Sequence, residues 1–359
     1  MTIARNLAGA LALLAVLVPV PTLAAECAIV LPPDFNGVAA VGAGTMPQVV
    51  VQGQVGEAGT AAIDPATRFN LGSVGKMMTA TAIAQLVEQG LMAFDDPLGR
   101  HVAGLPPELA TLRIEQLLSH TAGLSLFLRP DLVAAINDAP TATALVPLVI
   151  AERRGEPGAF RYSNAGYVLL GAAIEAASGL SHDEYISRNI LPAAGITPQP
   201  LGWQAGDAEG IDPAEQDFAR AITRVRPWPA GGIVLSAADL WRFGRALAGG
   251  RLVRPETLEA MMRGGIELRA ATPERPASRY GLGLGVSGEG SSRVIGHTGG
   301  APGIDVSLRI HPASGRVVAV MSNHSGSDDQ NASSIAKAIL AELESGLCAE
   351  QSQATGANP

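Results

Sequence analysis

Lysine is nearly missing from this chain. Of 25 basic residues only two are lysines, Lys76 and Lys337, and the rest are arginines. Arginine serves wherever a fixed positive charge is wanted, but it cannot release its proton, so a retained lysine can mark a place where an amine must be neutral. Basic charge as a whole is also short, with a net charge of −8 and a pI of about 5.3. That excludes nucleic-acid binding, which needs a basic face, and it argues against polybasic attraction to a membrane. No pair of the six histidines has ligand spacing, so neither a metal nor any other cofactor is implied. The nucleophile elbow G-x-S-x-G occurs nowhere, which disfavours a Ser-His-Asp enzyme on an α/β-hydrolase fold. Beyond the first 25 residues no apolar run reaches membrane-spanning length without a charge or a proline, and internal repeats are absent. What is present is 47% apolar residues over 359 positions, enough for a sizeable core in one large domain or two intimately joined ones.

The amino terminus reads as an export signal. Arg5 supplies a positive start, residues 7–18 are nearly unbroken apolar, and Pro19 and Pro21 precede the small-residue run Thr22-Leu23-Ala24-Ala25. The apolar stretch is too short for a spanning helix, so residues 1–25 are expected to be a signal peptide removed from a periplasmic or secreted protein. Cys27 is not a lipoprotein signal, because Glu26 stands before it where a small residue is needed. Export would place both cysteines in an oxidising compartment. Cys27 follows the cut and Cys348 precedes a polar tail, 349–359, so a Cys27–Cys348 disulfide is expected to tie the ends together. Closing a loop of about 320 residues would contribute at most about 5–6 kcal/mol in the chain-entropy model.

Strand character lies at both ends of the mature chain, with helices between. Residues 48–55 are β-rich, and 68–71 form a short extended lead into Gly72. From Ser73 to Val87 the residues are helical in type and apolar on nearly every face, which predicts a buried helix ended by Gly90. Further helices are expected at 114–118, 167–177 (closed by Gly179) and 335–343. Another is expected at 237–247, opened by Ser236 with Asp239 three residues on. Strands are expected at 280–286, 293–296, 306–310 and 316–321, the last two flanking the hairpin signal Pro312-Ala313-Ser314-Gly315. Irregular, proline-bearing 198–229 reads as a long loop. This order predicts an α/β fold with a sheet drawn from both chain ends. Residues 26–70 and 280–348 would form the α/β part, and 71–279 an inserted, mostly helical part.

The candidate chemistry begins at Ser73-Val74-Gly75-Lys76. A hydroxyl and an amine three residues apart share one helical face, and helical side chains lean toward the amino end, which aims Lys76 back over Ser73. The positive end of the helix dipole and burial at the head of an apolar helix disfavour the protonated amine. A neutral Lys76 could then take the proton of Ser73. The pattern recurs at Ser334-Ile335-Ala336-Lys337, near the tail and without supporting motifs, which reads as an ordinary surface lysine. Tyr162-Ser163-Asn164 offers a phenol that can relay a proton and an amide that can hold a carbonyl, on one side if the segment is extended. His297-Thr298-Gly299-Gly300 follows the expected strand 293–296. Its glycines would let a substrate lie against strand backbone, where an N–H could join that of Ser73 in an oxyanion hole.

In this order and spacing the three elements resemble the penicillin-recognising serine hydrolases, and within them the class C β-lactamase-related group of esterases, D-amino-acid peptidases and DD-carboxypeptidases. The resemblance runs from about Gln48 to Ser322. It includes Leu117-Leu118-Ser119-His120-Thr121-Ala122-Gly123-Leu124, Phe160-Arg161-Tyr162-Ser163-Asn164-Ala165-Gly166-Tyr167, and Tyr280-Gly281-Leu282-Gly283. It implies a β-lactamase/transpeptidase-like fold: an antiparallel sheet flanked by helices, an inserted helical domain, and the site at their junction. It also implies that Ser73 is acylated, Lys76 activates it and Tyr162 shuttles protons. Asn164 would bind substrate amide or carbonyl groups, and the N–H groups of Ser73 and Gly300 would form the oxyanion hole. His120 is expected to shape a turn. One departure matters: His297 stands where the class C β-lactamases carry a lysine that helps to hold the substrate carboxylate, so carboxylate recognition is left to Thr298 or an arginine. The expected activity is that of an exported serine hydrolase acting on a small-molecule or peptide ester or amide, as an esterase or D-peptidase ahead of a β-lactamase or a non-catalytic penicillin-binding-like module.

Overall fold

A computed structural model describes residues 29–345, apart from 58, 153–154, 274 and 326–330. The expected signal peptide, Cys27, Cys348 and the tail lie outside the described residues. The chain enters through strands β1 (Gly37–Gly42), β2 (Gln48–Gln52) and β3 (Arg68–Asn70), then a tight 3-10 turn at Gly72–Val74. Helices α1 (Gly75–Glu88), α2 (Ile114–Leu118), α3 (Asn164–Ser178) and α4 (Gln216–Thr223) follow. Next come β4 (Val234–Ser236) and α5 (Ala237–Ala248). Strands β5 (Ile266–Arg269), β6 (Ser278–Tyr280), β7 (Gly285–Ser287), β8 (Val294–Ala301), β9 (Ile304–His311) and β10 (Arg316–Ser322) lead to a last helix, α6 (Ala332–Ser345).

Eight strands form one antiparallel sheet in the order β2-β1-β10-β9-β8-β7-β6-β5. Period-two alternation sends successive residues of β1 and β10 to opposite faces. Ala39, Val41, Val318 and Val320 pack against Ile335, Ala336 and Ile339 of α6. Val38, Ala40, Val317 and Ala319 face the other way, into the main core with α1, α3 and α5. Both faces are covered, which explains why these strands read as nearly continuous apolar runs. Helix α1 is buried all round, as its composition predicts. Ser236 caps α5 by accepting the N–H of Asp239 at 3.2 Å.

The structure corrects several sequence expectations. Residues 280–286 are not one strand: β6 ends at Tyr280, and Gly281-Leu282-Gly283-Leu284 turn the chain into β7. Gly283 has φ +86° and lies so close to Ala80 of α1 that a Cβ would overlap it, so only glycine fits. The sheet also begins earlier than residue 280, since β5 and β6 belong to it. The long irregular stretch 198–229 carries α4, whose apolar positions Ala219 and Ile222 pack inward. Helix α3 begins at Asn164, with Ser163 as its cap accepting from Gly166 N–H at 3.0 Å. Tyr162 and Asn164 are therefore not alternate residues of one extended segment.

One helix–loop approach bears on the site. Gly171 of α3 faces Pro229, and a Cβ there would overlap the proline ring. Gly171→Ala should push the Pro229 loop outward and lower stability by about 1–3 kcal/mol in urea unfolding. An unchanged unfolding midpoint would show that the loop yields without cost.

Candidate functional site

Ser73 stands in the 3-10 turn ahead of α1. Leu71 N–H donates to Ile233 O at 2.8 Å and Gly72 N–H to Asn70 Oδ1 at 2.8 Å, so the turn is anchored on both sides. Gly72 has φ +49°, a conformation glycine adopts at no steric cost. Gly299 of β8 lies against this turn, and a Cβ on it would overlap Leu71 O and reach 3.0 Å from Ser73 N. Strand β7 stops pairing at Gly285↔Gly296, so the same edge of β8 from His297 to Ala301 has no strand partner among the described residues. The sequence motif His297-Thr298-Gly299-Gly300 thus lies within β8 rather than after it. Its bare edge runs past the serine.

Lys76 is wholly buried. Its Nζ lies 3.0 Å from Ser73 Oγ and donates to Ala230 O at 2.7 Å. No carboxylate pairs with it among the described residues, and burial holds the amine well below its ordinary pKa. The rings of Tyr162 and Tyr167 lie 5.0 and 5.4 Å from Nζ, contacts worth far less than the hydration lost. A neutral amine has one lone pair, and with an N–H spent on Ala230 that lone pair is free to accept the Ser73 O–H. Lys337, by contrast, is exposed on α6, across the sheet from this site.

A second anchor holds the loop that receives Lys76. Thr79 is one helical turn beyond Lys76, and its hydroxyl donates to Pro229 O at 2.8 Å. That single proton being used, the contact at 2.9 Å to His182 Nε2 must be donated by the histidine. Lys76 and Thr79 therefore clamp the successive carbonyls of Ala230 and Pro229 to α1. Sequence reasoning missed Thr79 and His182. The one signal for them was a pair of buried threonines in α1, of which Thr81 bonds back to Met77 O and Thr79 reaches outside the helix.

A directed hydrogen-bond chain backs the other side. Ser163 N–H donates to His120 Nδ1 at 3.1 Å, which leaves the ring proton on Nε2, facing Tyr280 Oη at 3.1 Å. Tyr280 then donates to His297 Nε2 at 2.7 Å, and His297 Nδ1–H donates to Thr298 O at 2.6 Å. Both imidazoles are neutral. Burial pushes His120 well below the ordinary histidine range and His297 down to about 3. His120 holds φ +59° and lies against Tyr162 with centroids 4.2 Å apart, so it shapes this wall and does not touch Ser73.

Two polar atoms facing the serine lack partners. The Tyr162 hydroxyl and Asn164 Oδ1 are buried without a hydrogen bond. Burial pushes the phenol upward, tempered only by the nearby Ser73 side chain. Leaving such groups empty costs about 1–3 kcal/mol each. A substrate N–H would satisfy Asn164 Oδ1, which can only accept, and a leaving-group atom would satisfy the Tyr162 hydroxyl. Thr298 presents its side chain to solvent beside the bare strand edge, and Gly300 is open above it.

Two measurements check this geometry. Thr79→Val should slow acylation about tenfold while KM stays within twofold, and Thr79→Ser should restore it; equal rates in all three would show that the clamp does not position Lys76. The imidazoles give a pH signature as well. His120 and His297 are neutral in the fold but take up protons in the unfolded chain below about pH 6.5. Their contribution is whole above that pH and is lost as pH falls, for His297 toward about 3, by at most about 1.4 kcal/mol per pH unit for each. Urea unfolding between pH 7 and 5 should show this decline, with a shallower slope in His297→Asn; a slope that the substitution leaves unchanged contradicts it.

Comparison with known proteins agrees with the geometry. The family model described as Beta-lactamase matches residues 34–342. The putative penicillin-binding protein PbpX of Bacillus subtilis (strain 168) is 27% identical over 237 residues, covering 62% of this chain and 55% of that protein. The chain spans little more than half the length of the B. subtilis relatives it matches. Among solved structures, a penicillin binding protein from Bacillus halodurans superposes with a TM-score of 0.71 at 25% identity, over 86% of this chain and 96% of that one. The D-amino acid amidase from Ochrobactrum anthropi SV3, complexed with L-phenylalanine amide, gives 0.66 at 25% identity, over 82% and 88%. Since the matched region runs from just before β1 into α6 and carries the same fold, the chain belongs to the Beta-lactamase family, with the serine-hydrolase architecture of its penicillin-binding-protein-like relatives.

Proposed function

We propose that this protein is an exported serine hydrolase that works through an acyl-enzyme on Ser73, as an esterase or D-peptidase. The observation that carries the reading is Lys76: a buried amine 3.0 Å from a serine hydroxyl, with no counter-charge among the described residues. Neutral Lys76 takes the Ser73 proton, and Oγ attacks the substrate carbonyl carbon. The carbonyl oxygen becomes an oxyanion held by the N–H groups of Ser73 and Gly300. The intermediate collapses as the proton passes from Lys76 through Tyr162 to the departing alcohol or amine. Water then gives a proton to the same pair, attacks the acyl carbon and restores Ser73. Asn164 holds the substrate carbonyl or amide, and the strand edge His297–Gly300 receives the extended substrate.

The neutral His297 counts against a β-lactamase, because it supplies no positive charge for the carboxylate of a β-lactam. The similarity to a D-amino acid amidase favours amide and ester substrates. Export rests on residues 1–25, and the Cys27–Cys348 pairing would follow from it. The mature protein should begin near residue 26, and non-reduced peptide mapping should recover the linked cysteines.

Incubation with a fluorophosphonate and with a labelled penicillin, followed by peptide mapping, tests the chemistry. The fluorophosphonate adduct should sit on Ser73, and Lys76→Arg should label at least about a hundredfold more slowly despite keeping the charge. Absence of any Ser73 adduct with either reagent would overturn the reading. Rapid turnover of the penicillin would restore the β-lactamase.

A further inference from the structure

Among the described residues, no charged side chain lines the pocket that opens beside Ser73. Between Asn164, α4, the Trp228–Gly232 loop and the end of β8, its walls are apolar side chains and glycine backbone, with Leu128, Ile222, Val225, Trp228 and Ile304 supplying the bulk. Its polar groups are the amides of Asn70 and Asn164 and Ser73 itself. The charges nearest in sequence are turned away and already paired. Arg129, next to Leu128, pairs with Asp131 and Glu152 at 3.0 and 2.7 Å. Arg224 and Arg226 flank Val225: the first pairs with Glu209, and the second donates to Ala139 O and pairs with Asp183. Asp305, next to Ile304, accepts the N–H of Ala332 at 2.7 Å.

The acid–base groups decide which half of the substrate enters. Lys76, Tyr162 and His297 lie outside this pocket. The leaving group must take its proton from the Lys76–Tyr162 side, so the pocket faces the acyl portion. It is also small, about 30 Å³, which is room for roughly two or three water-sized groups.

Building on the hydrolase reading above, we infer that the acyl specificity is for short, apolar, uncharged groups, and that acyl donors bearing a free α-ammonium or a carboxylate are rejected. An ion taken into this pocket loses its hydration and meets no counter-charge, a penalty that rises steeply in an apolar site. The amide of Asn164 can hold a neutral carbonyl or amide but cannot neutralise an ion, and the amide of Asn70 is already spent on Gly72 N–H and the carbonyls of Ile222 and Thr223.

Two matched substrate pairs test this: 4-nitrophenyl butyrate against 4-nitrophenyl hemisuccinate, and N-acetyl-D-alanine 4-nitroanilide against D-alanine 4-nitroanilide. In each pair kcat/KM should favour the neutral acyl group by about a hundredfold or more. 4-Nitrophenyl butyrate should also exceed the decanoate. Leu128→Asp, at a half-buried wall position, should raise D-alanine 4-nitroanilide relative to its N-acetyl form by about tenfold. Equal turnover within the pairs, or a ratio that Leu128→Asp leaves unmoved, overturns the assignment of this pocket. If Ser73 labels with fluorophosphonate but the neutral preference is missing, this inference alone fails. If Ser73 does not label and no member of the panel is turned over, the hydrolase reading and this inference fall together.

Discussion

The amine of Lys76 is dehydrated, and the surrounding site is built around that fact. A protonated lysine at this depth would need a carboxylate, and the described structure provides none. The amine is left with one backbone carbonyl and one serine hydroxyl, surroundings that favour its neutral form. Each neighbour supports the same state. Helix α1 opens beside it without an acidic residue in its first turn, Tyr162 and Tyr167 exclude water with their rings, and both nearby histidines are neutral. A single aspartate near Nζ would favour the ammonium and remove the lone pair that faces Ser73.

Positioning comes from two rigid walls. One is α1 with the loop clamped to it through Lys76 and Thr79. The other is the edge of β8, backed by the run of donated protons from Ser163 through His120, Tyr280 and His297 to Thr298. Gly299 lets the walls touch at the serine, and the early end of β7 leaves the strand edge open for a substrate. Removing any one ring from the proton run would orphan polar atoms on both neighbours, so its members are tied to one another more tightly than to the substrate.

The parts legible in the sequence were those with a local cause. The S-x-x-K spacing, the Tyr162 and His297 motifs and the buried apolar helix each follow from residue type at short range, and the geometry brings them together at Ser73. β-rich residue types were enough to place strands within 48–55, 306–310 and 316–321, whereas β1, whose two faces meet α6 and the core, went unread. Other features were hidden because their cause is tertiary. Thr79 and His182 meet only through the fold, 103 residues apart. The turn at Gly281–Leu284 exists because α1 lies beneath Gly283, which strand propensity cannot show. Asn164 became the first residue of a helix because Ser163 caps it, although the surrounding residues suit an extended segment equally well.

The position of β1 in the sheet has a consequence for how the molecule is made. It lies between β2 and β10, and Ser322 Oγ donates to the carbonyl of Asn36, 286 residues away. Until β10 is available, the β1–β2 hairpin has an unpaired edge and two apolar faces, a template for pairing with the wrong chain. Helix α6, which covers one of those faces, comes later still. The sheet cannot close progressively from the amino end; it waits for the last tenth of the described chain. Such an order suits a polypeptide that is kept unfolded until its synthesis is complete and then folds in one compartment, and it makes the carboxyl-terminal strand and helix the elements on which assembly of the whole sheet depends.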